Sequence, residues 1–172
     1  MSRQIKLYNI IFPIWFLWII PPVIGLALVG NFLIDSGVML LGFVLFKVGA
    51  ATGLTKKELY KKSILKVWLF GFLADIIATI PLMLILTVEF WPVPNDVRQA
   101  LAMNPFSNTW ALITVILCMI LACVFIFIFN YNISFKDTIK DKALRAKLAI
   151  FLAVITMPWT FLIPSQILYK GF

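Results

Sequence analysis

The chain has 172 residues, 63% of them hydrophobic and 13% charged, with a net charge of +8. A soluble domain carries about half apolar and a quarter charged residues, so this composition excludes a single soluble core. It points to one polytopic membrane domain over residues 1–172, with about 20 apolar residues per crossing. Histidine is absent, which removes Ser-His nucleophile pairs and histidine-based metal sites.

Arg3 and Lys6 precede an apolar run from Leu7 to Phe46 that contains one charge, Asp35. The run exceeds a signal-peptide h-region and no small-x-small cleavage site follows, so it reads as a retained first span. It is too long for one helix and must fold back. Gly30-Asn31 is the expected break, with glycine closing one helix and asparagine capping the next. This gives a first helix over 8–29 and a second over 32–51. The rival reading starts a helix at Pro21-Pro22, but a single span over 21–50 would be about 45 Å long. In the preferred reading Pro21 and Pro22 kink the first helix and leave the carbonyls of Leu17 and Trp18 without partners. Broken spans mark sites in some transporters, although plain kinks are commoner. Asp35 then falls in the first turn of the second helix, where the helix dipole and nearby water favour an anion. Asp35, Gly42 and Gly49 recur every seven residues and form an expected helix-packing seam.

Thr55-Lys56-Lys57-Glu58 is a capping box. It opens a third helix through the basic connection over 52–63 and into an apolar span over 64–88. Lys56, Lys57, Lys61 and Lys62 suit contact with anionic lipid head groups, each worth about 1 kcal/mol. The span contains FGFLADIIATIP, residues 70–81, with one acid, Asp75. Asp75 follows Ile64 by eleven residues, about 16 Å along a helix and close to the midplane. An aspartate there costs about 2.5–3.5 kcal/mol on insertion and faces the bundle interior or water. Gly71, Ala78 and Thr79 stand one turn away on its side, and Ala74 and Ala78 widen a small-residue strip that lets another helix approach. Thr79 is placed to donate to the carboxyl group. Thr156 and Thr160 on the fifth helix fall at similar depth and are candidate partners. Three roles for Asp75 stay open: binding a proton or cation, a neutral hydrogen-bonding lock, or pairing with a basic residue of another protein in the membrane.

Residues 89–108 read EFWPVPNDVRQALAMNPFSN. Their prolines mark an outer loop, in which Asn95 is the candidate cap of a short interfacial helix ending before Asn104-Pro105. The fourth span is expected over 109–131. Its Cys118 and Cys123 fall on different helix faces, which suits packing rather than a disulfide or metal pair. Ser134-x-x-Asp137 is a weaker capping-box variant. It opens a polar helix in the basic connection over 132–147, where Asp137 meets Lys140 and Asp141 meets Arg145. The fifth span is expected over 148–168. Pro81, Pro158 and Pro164 add bends.

Lysine and arginine concentrate at residues 3–6, 47–66 and 136–147, with only Arg98 and Lys170 elsewhere. The positive-inside rule then gives an all-α fold of five transmembrane helices with a cytoplasmic N-terminus and an outer C-terminus. Trp91 and Trp110 fall at the outer interface and Trp68 near the inner one. The excess charge is thus topological, and no nucleic acid is implied. Short loops and the Lys, Ile and Phe usage suggest a bacterial cytoplasmic membrane. On this topology Asp35 and Asp75 differ in depth by about 10 Å or more, too far to share a proton. The GxGD-type motifs of intramembrane aspartyl proteases are absent, as is the acidic cluster of phospholipid-head-group transferases. The sequence therefore points to a non-enzymatic subunit or scaffold of a membrane complex. Its expected partners are lipid, a second copy or a membrane protein, with no catalytic residue, metal or cofactor. The alternative is a small transporter or channel that uses Asp75 as a midplane proton- or cation-binding carboxylate.

Overall fold

The computed structural model describes residues 21–88 and 92–169. Seven α-helices follow in order: α1 (Pro21–Leu45), α2 (Val48–Thr52), α3 (Lys56–Thr87), α4 (Asn95–Met103), α5 (Thr109–Phe129), α6 (Lys142–Thr156) and α7 (Gln166–Tyr169). A π-helical turn, Asn130–Ser134, extends α5, and a 3-10 turn, Trp159–Leu162, follows α6. No strand occurs among the described residues. Among the described residues four segments are long and apolar enough to cross a membrane: Ile24–Leu45, Lys56–Thr87, Thr109–Ser134 and Lys142–Leu162. Their outward faces carry large apolar side chains such as Leu26, 75% exposed, and Leu33, 65% exposed. A surface of this kind suits lipid and not water.

The first apolar stretch departs from expectation. α1 passes through Gly30-Asn31 without a break. A mid-helix glycine costs only about 1 kcal/mol, whereas opening the backbone within hydrocarbon leaves several polar groups unsatisfied at several kcal/mol each. Pro21 and Pro22 are the first described residues of α1. The expected first helix up to residue 20 lies outside the described residues. α1 also stops short of residue 51. Lys47 takes the left-handed conformation at φ 50°, the place glycine usually fills after a helix. Gly49 therefore belongs to α2, and the Asp35–Gly42–Gly49 seam does not run along one helix.

α3 starts as the capping box requires. The Thr55 hydroxyl oxygen accepts from the Glu58 amide at 3.3 Å, and the Glu58 carboxylate accepts from the Thr55 amide at 2.9 Å. Pro81 lies inside α3 without ending it. The far end of α3 is closed by a residue of α4. Arg98 donates to the carbonyls of Ile85, Val88 (2.8 Å) and Val93 (3.3 Å). The α4 boundary is Pro94 and not an Asn95 cap. Asn108 caps α5, its side-chain oxygen accepting from the Trp110 and Ala111 amides at 2.9 and 3.2 Å.

The second basic connection also differs from expectation. Ser134 caps nothing: it ends the π turn, and the chain then runs outside helix to Asp141. Phe135 and Ile139 are fully buried and pin this segment into the core. Asp141 is the true cap of α6, accepting from the Ala143 and Leu144 amides at 2.8 and 3.2 Å. The expected pairs Asp137–Lys140 and Asp141–Arg145 do not form. Asp137 meets Lys66 at 3.5 Å instead. Arg145 donates to the Ile139 carbonyl at 3.2 Å and lies 4.5 Å over the Tyr131 ring. The fifth span lies six residues earlier than expected, over Lys142–Leu162. α6 begins at Lys142 and ends at Thr156, two residues before Pro158.

The four long helices close a ring in the order α1–α3–α5–α6, each packed against two neighbours. At the lysine-bearing end, Met39, Phe43, Leu59, Phe135 and Leu148 form one core. At the other end α4 and the 159–162 turn pack on α5 around Leu82, Leu101, Val115 and Phe161. Between the two cores the packing thins to Ala74, Ile126 and Ala153.

Candidate functional site

At that middle level a cavity of about 390 Å³ opens between α1, α3 and the segment that ends α6. α1 contributes Gly30, Asn31, Ile34 and Asp35, and α3 contributes Gly71, Phe72, Asp75 and Ile76. The third wall holds Thr156, Met157, Trp159, Thr160 and Phe161. This wall exists because Pro158 offers no N–H to the carbonyl of Val154, so α6 cannot continue. The chain turns across the cavity as a 3-10 segment instead.

The two intramembrane acids meet here, against expectation. Asp35 is not in the first turn of a helix. It lies fourteen residues after Pro21 and ten before Leu45, about 21 and 15 Å from the two ends. Asp75 lies twelve residues before Thr87, about 18 Å from that end. α1 and α3 run antiparallel with Asp35 beside Gly71, so Asp75 lies on the same cavity wall about one helical turn, roughly 6 Å, further along. Gly71 makes the approach possible: a Cβ added there would sit 3.2 Å from Asp35 Oδ2. The acids are near enough for the charge of Asp35 to act on Asp75. The depth argument against a carboxylate pair therefore falls with the helix break that produced it. The absence of GxGD-type motifs is a fact of the sequence and stands.

Asp35 is only 5% exposed, and no hydrogen bond or ion pair holds its carboxyl among the described residues. Asp75 Oδ1 is buried and likewise without a partner among them. Thr79 does not serve Asp75 as expected, because its hydroxyl donates to the Asp75 backbone carbonyl at 2.8 Å. The Thr156 hydroxyl donates to the Leu152 carbonyl at 3.0 Å, and Thr156 lines the cavity. Thr160 lines the same cavity. Sequence reasoning thus brought Asp75, Thr156 and Thr160 to one region. It missed Asn31, Phe72, Met157, Trp159 and Phe161. The Met157-Pro158 step was the available signal for the last three, since it stops the helix beside the cavity.

The small-residue strip divides between neighbours. Gly71 faces Asp35 of α1, whereas Ala74 and Ala78 are fully buried against α5 and α6. Gly42 lies where α1 meets α6, its position 2.5 Å (measured to an added Cβ) from Leu148 Cδ1. Lys56, Lys57, Lys61 and Lys62 stand exposed together at one end of the bundle. No three His, Cys, Asp or Glu side chains gather among the described residues. Comparison with protein-family models, characterised proteins and solved structures returns no match, so any function rests on the cavity itself.

Proposed function

We propose that the protein is a small, non-enzymatic membrane transporter or channel in which Asp75 and Asp35 together bind a proton or cation. The observation that carries this reading is the placement on one cavity wall of a buried carboxyl, Asp35, and a half-buried one, Asp75, from different helices, with Asp75 Oδ1 lacking a partner among the described residues. Two acids brought together in hydrocarbon oppose folding. A purely structural bundle gains nothing from them, whereas a site that exchanges cations requires them. The helix break at Pro158 supports the reading, because interrupted spans at mid-depth are where transporters bind ions.

The orientation belongs to the same proposal. The lysine-bearing end faces the cytoplasm of a bacterial inner membrane, and its lysines rest on anionic lipid. Five spans, with the N-terminus inside and the C-terminus outside, require residues 7–20 to supply a crossing of their own.

Solid-supported membrane electrophysiology on the reconstituted chain tests the function. Jumps in H⁺, Na⁺ or K⁺ concentration should give transient currents that Asp75→Asn abolishes without changing yield or insertion. Currents that survive Asp75→Asn unchanged, or that match empty vesicles, contradict the proposal. The subunit or scaffold role makes the opposite prediction, in which Asp75→Asn leaves any currents intact and removes a partner on gentle purification.

A further inference from the structure

The cavity is poorly built for a bare metal ion. Na⁺ or Ca²⁺ takes about six oxygens at roughly 2.3–2.6 Å, and Mg²⁺ takes six at about 2.1 Å. Here a partly open cavity of about 390 Å³ is lined by Ile34, Ile76, Ile155 and Met157 together with Phe72, Trp159 and Phe161. A volume above 300 Å³ with mainly apolar walls and a few polar groups is the form of an organic-ligand site. Its electrostatics select the sign of the ligand. From α1 the facing titratable group is Asp35, from α3 it is Asp75, and residues 155–161 bring none. Among the described residues no lysine or arginine lines the cavity. The C-terminus of α6 ends in the same wall at Thr156, and a helix C-terminus carries partial negative charge. Phe72, Trp159 and Phe161 add ring faces suited to a weakly hydrated cation. Methionine at position 157 adapts to irregular apolar shapes.

Resting on the transport reading above, we infer that the cavity binds an amphiphilic organic monocation, such as a quaternary ammonium or protonated amine with an apolar body. Both carboxyls are protonated when the cavity is empty of cation. As the cation enters, one of the two protons leaves to water, so one carboxylate pairs with the cation, the other carboxyl keeps its proton, and no buried charge is left uncompensated. The same two acids therefore serve as ligand for the cation and as the proton site it displaces.

The test uses the full chain in detergent with tetraphenylphosphonium as the probe and tetraphenylborate, of equal size and opposite charge, as the control. Titration calorimetry should show saturable binding of tetraphenylphosphonium at one per chain and no saturable binding of tetraphenylborate. A pH indicator in weak buffer should register about one proton released per cation bound. Asp75→Asn and Asp35→Asn should each weaken binding at least about thirtyfold and end the proton release. Trp159→Ala should weaken it about threefold to tenfold while the proton release per bound cation persists. Thermal melting of each variant separates these effects from unfolding, and Trp159→Phe, which keeps a ring face, should restore most of the affinity. Equal uptake of both probes, or tetraphenylphosphonium binding indifferent to both aspartates, overturns the inference. If Asp75-dependent proton or sodium currents persist while tetraphenylphosphonium does not bind, the organic-cation class falls and the transport reading stands. If the cation binds through the aspartates, and neither currents nor proton-gradient-driven uptake of radiolabelled tetraethylammonium into vesicles appears, the site stands and the transport reading falls.

Discussion

Asp35, Gly71 and Asp75 illustrate how one side chain depends on another residue having none. Any side chain at position 71 would crowd the Asp35 carboxyl, because even a Cβ would lie at 3.2 Å. Gly42 makes a tighter demand, since its added Cβ would lie 2.5 Å from Leu148 Cδ1 and 3.3 Å from Phe151 Cδ1. Leu148 is fully buried and has nowhere to retreat. Gly42→Val is therefore expected to destabilise the fold by about 1–3 kcal/mol, read as a lower melting temperature in detergent. Lys47 works the other way. It holds φ 50° with a side chain attached, and left-handed backbone costs a non-glycine residue about 1 kcal/mol or more. Lys47→Gly is expected to raise stability by about 1 kcal/mol or slightly less, because the flexible glycine also loses more entropy on folding. A loss of stability would show that Lys47 makes a contact worth more than its strain.

Element by element, the sequence was most legible where local chemistry decides the outcome. The capping box at Thr55-Glu58 and the asparagine-proline stop after α4 needed only neighbours within one turn. The readings that failed depended on distant partners. Gly30-Asn31 has the composition of a break, but the need to satisfy backbone groups in an apolar setting overrides it. Ser134 and Asp141 both resemble caps, and the burial of Phe135 and Ile139 decides for Asp141. Arg98 looked like an isolated outer charge, yet it gathers two carbonyls at the end of α3 and that of Val93 in the loop beyond. No local pattern announces that role. Arg98→Ala should cost about 1.5–3 kcal/mol, the range for hydrogen bonds from a charged donor. Arg98→Lys should recover only part of it, because an ammonium lacks the planar fork. Amide hydrogen exchange in the last turn of α3 is the suitable readout, and unchanged protection would show that the carbonyls find other donors.

For the whole molecule, the ring α1–α3–α5–α6 places two solid cores at the ends and a cavity between them. The candidate site was half legible. Asp75 announced itself by its cost in hydrocarbon, whereas its relation to Asp35 was hidden by a single misplaced helix end. Moving that end shifted Asp35 from the rim to the middle of α1, and with it the chemistry available. Topology can be tested at this scale by epitope tags at the two termini. The five-span proposal predicts that they become accessible from opposite faces of sealed vesicles. Tags on the same face would leave four crossings, with residues before Pro21 staying on one side.

The cavity, its charge and the proposed cation all depend on Asp35 standing against α3 at the level of Gly71. A double variant, Asp35→Cys with Gly71→Cys and both native cysteines replaced by serine, measures this directly. After mild oxidation in the membrane, an antiparallel α1 and α3 packed as described brings the two Cβ atoms within reach of a disulfide. The account predicts that both thiols are lost to maleimide labelling after denaturation and return on reduction. Full labelling of both thiols after oxidation would place Asp35 at another depth, as a helix break at Gly30-Asn31 requires, and would contradict the account.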